Sequence, residues 1–330
     1  MARLTQPGHF LGRAEKAASS PQPLYYTDRT MKIKKLVKEA AEIAEPLQIA
    51  NGKDFRLKDY DPADTYGMKD KEKALKALER GVKLISHLQE KLYAQDQWAV
   101  LLIFQAMDAA GKDGAIKHVM SGINPEGCEV TSFKAPSHEE LDHDFLWRTH
   151  KVTPRRGIIG IFNRSYYEEV LVVRVHQELL KAEHLPDKLV GKDIWDQRYD
   201  DINNFESYLS HNGIVILKFF LHLSKEEQKK RFLERLEMPE KNWKFSMDDV
   251  KERQYWDDYQ KAYEKMIQNT ATKQVPWYVV PADNKWFTRL AVASATIEAL
   301  DSLHLQFPEV DKEKKKELEA VRGALIRAKD

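Results

Sequence analysis

The sequence predicts an α/β protein, a three-layer α/β/α sandwich built on a parallel sheet. Three observations predict it. Trp98–Phe104 is an unbroken apolar run, as expected for a parallel strand covered on both faces. Similar short runs recur at 129–133, 157–162, 214–220 and 277–280, with longer helix-compatible stretches between them. Strands alternating with helices imply right-handed crossovers and helices on both faces of one sheet. Finally, the first run opens directly into a small-residue loop, Asp108-Ala109-Ala110-Gly111-Lys112, which leads into helical sequence.

The elements follow in chain order. Residues 1–30 mix Pro, Ser, Gln and Gly without periodicity and are expected to form a flexible arm. Residues 31–96 read as an N-terminal helical extension. Its first helix stops at Pro46, and its second carries Leu75, Leu78, Val82, Ile85, Leu88 and Leu92 at helical spacing, a stripe expected to lie on the body of the domain. Residues 97–307 form the core. Within it, 225–265 is charged and rich in Trp and Tyr, and interrupts the last crossover. It suits two helices joined by a loop near 238–245, projecting from the sheet as a lid. Residues 308–330, with Lys312–Lys316, read as a solvated C-terminal helix.

Composition limits the partners. Charged residues are 32% of the 330, yet the formal net charge is only +1. That balance argues against a protein that coats nucleic acid or an acidic membrane, so any anion site must be local. Cys128 is the single cysteine, which rules out an intramolecular disulfide and fits a reducing compartment. No stretch resembles a signal peptide, and the apolar runs are too short to span a bilayer. A cytoplasmic location is expected.

The chemistry starts in the loop. Ala106 to Gly114 approaches the phosphate-binding pattern G-x-x-x-x-G-K-[ST] between a strand and a helix. In such a loop backbone N–H groups curl around phosphate, and the following helix presents its positive end. Ala109, Ala110, Gly111, Lys112, Asp113 and Gly114 are therefore the expected phosphate ligands. Two positions depart from the pattern: Ala106 replaces the first Gly, and Asp113 replaces the magnesium-binding hydroxyl residue. Asp108 bears on that loss. A carboxylate inside an anion-binding loop repels phosphate unless a cation lies between them, and Mg²⁺ prefers carboxylate and phosphate oxygens. Asp108 is thus the expected metal ligand, with a helix cap as the alternative.

A second element closes the third run, Asn163-Arg164-Ser165-Tyr166-Tyr167-Glu168-Glu169. Asn163 stands where such enzymes place a metal-positioning acid and offers only a neutral carbonyl, a weak ligand. Glu168 and Glu169 follow closely enough for one to reach back. Arg164 suits neutralising a phosphoryl group in transfer. Basic residues outside the loop complete the set: Lys134, then Arg148, Lys151, Arg155 and Arg156, then Arg231 and Arg235 four residues apart on one lid helix. On that helix Phe232 and Leu236 are expected on the buried face. The two arginines are expected on an exposed ridge leaning over the loop, with pairing to Glu227 or Glu234 as the alternative. Lys241 and Lys244 lie beyond. His138, His143, His150 and His176 show neither ligand spacing nor a paired base.

Together these residues point to a phosphotransferase moving a phosphoryl group to or from a nucleotide. An ATP-dependent nucleoside monophosphate kinase and a non-catalytic nucleotide-binding regulator are the alternatives. The acids grouped with Arg164 argue against the regulator, because such a cluster is costly without metal and phosphates to balance it.

These segments resemble the polyphosphate kinase 2 family: Asp108 to Gly114, Asn163 to His176, Lys218 to His222, Trp243 to Phe245, and Pro276 to Asp283, in that order across about residues 55–308. The resemblance implies a P-loop kinase fold related to thymidylate kinases, with 225–265 as its helical lid. It implies inorganic polyphosphate as donor, AMP or ADP as acceptor, dependence on Mg²⁺ with Mn²⁺ as a substitute, and a homo-oligomer, dimer or tetramer. Adenine and guanine nucleotides are the implied class. Asp108 and Glu169 match the family's metal and catalytic acids by position, and Lys112 and Arg164 match phosphate ligands; Arg174, within the same segment, is also expected on phosphate. Many relatives carry Asp at the position of Glu169. Asn163 resembles the subgroup that uses both mono- and diphosphates.

Overall fold

The computed structural model describes residues 24–242 and 247–328. Helices α1 (Leu24–Ala44) and α2 (Lys71–Gln95) lead to α3 (Lys112–Val119), then to two single turns, α4 (His138–Leu141) and α5 (Trp147–His150). They are followed by α6 (Glu168–Val175), α7 (Ile194–His211), α8 (Lys225–Glu237), α9 (Pro239–Asn242) and α10 (Met247–Glu252). The last three are α11 (Trp256–Thr270), α12 (Lys285–Ser302) and α13 (Lys312–Arg327). The strands are β1 (Gln48–Ile49), β2 (Ala99–Gln105), β3 (Cys128–Ser132), β4 (Ile159–Asn163), β5 (Ile214–His222) and β6 (Trp277–Pro281).

Among the described residues the strands form one sheet in the order β1-β6-β5-β2-β4-β3. All pairings are parallel except β1 with β6, where Gln48 faces Tyr278. This is the expected sandwich, a P-loop kinase fold. Alternate residues of each strand face opposite layers. Val100, Leu102 and Phe104 of β2 join α2, α3 and α12 on one face, while Leu101 and Ile103 join α6, α7 and α11 on the other. Chain order turns around β2: the next two strands lie on one side of it and the last two on the other. Ligand crevices open at the carboxyl ends of strands at such a reversal.

Several expectations change. Helix α1 begins at Leu24, so the arm predicted for 1–30 is shorter at its C-terminal end; residues 1–23 lie outside the described residues. Helix α2 is less an extension than part of one helical layer, because Leu78, Ile85, Leu88 and Leu92 share a core with α12 and the sheet. Leu75 of the predicted stripe is 42% exposed, and Leu84 is buried instead. Strand β3 is an edge strand rather than a doubly covered one, with Val130 exposed.

The region 225–265 does not project as a whole. Trp256, Tyr259, Tyr263, Met266 and Ile267 bury α11 under the sheet, and the N-terminal half of α8 sits against the phosphate loop. What remains available as a lid is the tip around α9 and α10. Helix α13 carries no buried residue, in keeping with a solvated tail.

Candidate active site

The loop after β2 closes on itself and then on α8. Gly111 caps α3 at φ +99°, a conformation that costs a side-chain residue strain, so glycine is needed there. Ala109 adopts φ +63° and carries that strain. Lys112 is 8% exposed, and its Nζ donates to the Ala106 carbonyl at 2.7 Å. Burial and the neighbouring Arg164 lower the affinity of this amine for its proton, while Asp108, Glu168 and Asp113 oppose them.

Helix α8 takes the loop's carbonyls. Gln228 Nε2 donates to Asp108 O at 3.1 Å, and Arg231 Nη1 donates to Ala109 O and Ala110 O at 3.0 Å each. The other arm of Arg231 donates to Ala282 O at 2.6 Å and Asp283 O at 3.1 Å, and its Nε donates to Glu227 at 2.9 Å. Arg231 is therefore a buried buttress, 4% exposed, and not the exposed clamp expected from its spacing. With the carbonyls committed, the first amides of α3, orphaned as at any helix start, remain for an anion.

The loop opens into a cavity of about 680 Å³. Lys134, Arg164 and Arg235 line it, as does the buried Arg231, and Lys285, Thr288 and Arg289 of α12 add a wall that sequence reasoning missed. The missed signal was Lys285 and Arg289 four residues apart just after the last strand, the same spacing that drew attention to Arg231 and Arg235. Arg235 is partly exposed and leans on Asp249 at 3.4 Å, tying α8 to α10. Leu236, expected on the buried face of α8, is 47% exposed; Phe232 is buried. Lys244 lies outside the described residues.

The turn after β4 delivers the second element. Arg164, at φ +64°, donates from Nη2 to Asp108 Oδ1 at 2.9 Å and lies 3.5 Å from Glu168. Those two carboxylates hold its charge firmly, Glu168 most. Asn163 donates from Nδ2 to Asp113 Oδ1 at 2.8 Å, so in this arrangement it positions Asp113. Glu169 points elsewhere. It is 7% exposed and sits 3.2 Å from Arg198 Nε, while Arg198 also donates to Glu183 at 2.7 Å. Burial pushes the Glu169 carboxyl up to about 8, against the pull of Arg198, and Glu183 beside it adds to the rise. The acid beside Asp108 and Arg164 is thus Glu168, and the metal role expected of Glu169 is corrected accordingly. Arg174, expected on phosphate, instead donates to Tyr199 OH at 2.6 Å and faces the rings of Trp195 and Tyr199. It docks α6 on α7.

Glu169 lines a second cavity of about 320 Å³ together with Phe133, Phe145, Val172, Leu179 and Arg148. Arg164, Lys134 and Phe133 belong to both cavities, so they mark the passage between them. The remaining cations named from sequence stand outside: Lys151 lies over Trp147, Arg155 pairs with Glu129, and Arg156 reaches Asn212 O. His143 stacks on Trp147, and His176 bonds to Glu252.

A model of the family described as polyphosphate kinase 2 matches residues 68–308. The chain belongs to the polyphosphate kinase 2 family. It is therefore a phosphotransferase. It is 57% identical over 247 residues to an ADP-polyphosphate phosphotransferase of Rhodopseudomonas palustris, covering 74% of this chain and 86% of that one. An AMP/ADP-polyphosphate phosphotransferase of Meiothermus ruber is 47% identical over 256 residues, covering 77% and 92%. Among solved structures, polyphosphate kinase 2 from Arthrobacter aurescens superposes with a TM-score of 0.79 at 40% identity, covering 87% of this chain and 97% of its own.

Among the described residues no group of three metal-ligating side chains is gathered. Mg²⁺ in phosphoryl-transfer sites is commonly held by one or two carboxylates plus phosphate oxygens and water. Asp108 supplies a partly exposed carboxylate at the mouth of the loop, so the donor set fits.

Proposed function

We propose that this polyphosphate kinase transfers the terminal phosphoryl group of inorganic polyphosphate to AMP and to ADP, reversibly and with Mg²⁺. One observation carries the reading: two cavities of different chemistry meet at Arg164. The larger is lined mainly by the phosphate loop and cations, with Phe133 as its aromatic, and suits a chain of phosphates better than a donor nucleoside. The smaller has aromatic and aliphatic walls plus a few polar groups, as a nucleoside site has. Names of the relatives, which pair polyphosphate with AMP or ADP, support the same assignment.

In this scheme Lys112 and the α3 amides hold the donor's terminal phosphates. Arg164 lies between donor and acceptor and balances the charge spread over the phosphoryl group in flight. An oxygen of the acceptor's last phosphate bonds to the terminal phosphorus as the bridging oxygen of the chain leaves with the electron pair. That acceptor oxygen is already ionised, so no general base is required, nor a covalent enzyme intermediate. Mg²⁺, held by Asp108 with Mn²⁺ as a substitute, would supply charge neutralisation between donor and acceptor phosphates. The lid tip would exclude water that otherwise takes the phosphoryl group.

The test is a donor assay with purified protein, Mg²⁺ and ADP or AMP. Product formation from polyphosphate is expected, with long chains serving at least as well as short ones. Transfer from ATP to AMP without any transfer from polyphosphate would overturn the reading. No helix among the described residues is long and apolar enough to cross a membrane. The proposed enzyme is a cytoplasmic homo-oligomer, which cell fractionation and light scattering would check.

A further inference from the structure

Beneath the turn that carries Arg164 lies a buried ionic network that the reaction scheme does not use. Lys218, at the middle of β5, has no exposed surface. Its Nζ donates to Glu206 Oε2 at 2.7 Å, to Thr270 O at 2.7 Å and to Tyr167 OH at 3.0 Å, so all three of its protons are placed. Glu206, 1% exposed, uses its other oxygen to accept from Tyr166 OH at 2.8 Å and Tyr167 OH at 2.7 Å. Burial and the facing carboxylate keep both phenols protonated, so they act as donors. Trp277 Nε1 completes the shell by donating to Thr270 Oγ1 at 2.9 Å.

Tyr166 and Tyr167 are the residues immediately beyond Arg164 and Ser165. Arg164 holds a left-handed backbone conformation that a residue with a side chain adopts only when its surroundings enforce it. On one side the turn is fixed by the Arg164 N–H donating to Phe104 O at 3.0 Å, and within itself by the Tyr167 N–H donating to Ser165 Oγ at 3.2 Å. On the other side the two phenol tips are tied to a single carboxylate. We infer that Lys218 and Glu206 are positioning residues for phosphoryl transfer, holding the Arg164 turn in place through Tyr166 and Tyr167.

Stability alone is a poor explanation for this pair. A buried ion pair loses hydration on both partners, and apolar residues of similar volume often serve a core as well or better. What the ionic arrangement provides is a unique geometry: six donor–acceptor contacts with set directions, converging from β5, β6, α7, α11 and the turn before α6. An apolar core at the same place would let the turn shift. A displacement of about 1 Å in a charge-stabilising group can cost about a hundredfold in rate.

The inference rests on the proposed role of Arg164, and the test separates the two. The doubly substituted Lys218→Met/Glu206→Gln protein and the Tyr166→Phe/Tyr167→Phe protein are compared with the parent by melting temperature and by steady-state kinetics. Both are also made in an Arg164→Lys background. Folded proteins with kcat lowered at least about tenfold and KM for nucleotide and polyphosphate within about twofold are expected. In the Arg164→Lys background the same substitutions are expected to cost little more, because coupled residues are non-additive. The phenylalanine variant keeps the ring volumes and decides the question if the ion-pair variant does not fold. Parental kcat in the phenylalanine variant would overturn the inference. So would an equal fall in the Arg164→Lys background, which would leave the role of Arg164 intact. Parental activity in Arg164→Lys alone would remove both.

Discussion

Arg164, on the turn after β4, reaches across to the loop after β2 and binds Asp108 at 2.9 Å. The cation proposed to meet the phosphoryl group and the anion proposed to hold the metal thus satisfy each other here. Both side chains are about a third exposed, 39% and 31%, so the pair stays within reach of solvent and substrate. Substrate can exchange one partner for another on both sides at once.

Asp108→Asn should keep the loop's shape while weakening the hold on Mg²⁺. The expected result is a metal titration of activity displaced to higher Mg²⁺, with a lower maximum. A titration superimposable on the parent's would leave Asp108 as the partner of Arg164 and nothing more.

Lys112→Met removes the ammonium group and retains much of the side-chain volume. A fall in kcat/KM of at least about 100-fold is expected, the usual cost of losing a charge that stabilises the transition state. The melting temperature should change little, because the lost bond to Ala106 O is offset by relief from burying a charge. An active Lys112→Met enzyme would sink the phosphate-loop assignment.

Most of the sheet and the loop were legible because their causes are local: apolar runs, a Gly-Lys pair, and strand followed by helix. Strand β1 was not, since two residues paired to β6 some 230 positions away leave no periodic signal. The arginines show where local reasoning stops. Spacing alone put Arg231 and Arg235 on one ridge, and both line the larger cavity, yet one is buried against four carbonyls while the other is partly exposed. That difference is set by the loop and by β6, which no window around α8 contains. Glu168 and Glu169 failed in the same way. Adjacent acids at a helix start point in different directions, and only the position of Arg198 on α7 decides which one is buried away from the loop.

Glu169 makes a pH prediction. Its carboxyl is raised from 4.5 to about 8, mainly by burial, so the folded protein holds a proton there that the unfolded chain releases. Its contribution to stability is full below about pH 4.5, declines as the pH climbs, and is gone above about pH 8. Glu169→Gln mimics the protonated form and should remove that decline. Melting temperatures of parent and variant measured from pH 5 to 9 would show the difference. Two parallel profiles would mean the carboxyl is ionised throughout.

The last prediction separates the two arginines of α8. Arg231 donates to the carbonyls of Ala109, Ala110, Ala282 and Asp283 and to Glu227, so it fastens the phosphate loop to the end of β6. Alanine there leaves several buried acceptors without a donor and the largely buried Glu227 without its main partner. Losing one partner of such a set costs about 3–5 kcal/mol. A marked fall in melting temperature is therefore expected from Arg231→Ala, with kcat falling because the loop loses its backing. Arg235 is different. It is 24% exposed, its contact with Asp249 is long at 3.4 Å, and it faces the larger cavity. Arg235→Ala should leave the stability within about 0.5 kcal/mol of the parent's and raise KM for polyphosphate, with KM for the nucleotide little changed. Long chains should be affected more than short ones, because a residue at the cavity wall away from the loop meets phosphates beyond the terminal two. Kinetics with a short and a long polyphosphate on the purified Arg231→Ala and Arg235→Ala proteins, alongside their thermal melts, give the comparison. Equal loss of stability in both would mean that Arg235 is scaffold too, and Lys285 and Arg289 would then be the cations of that wall to test.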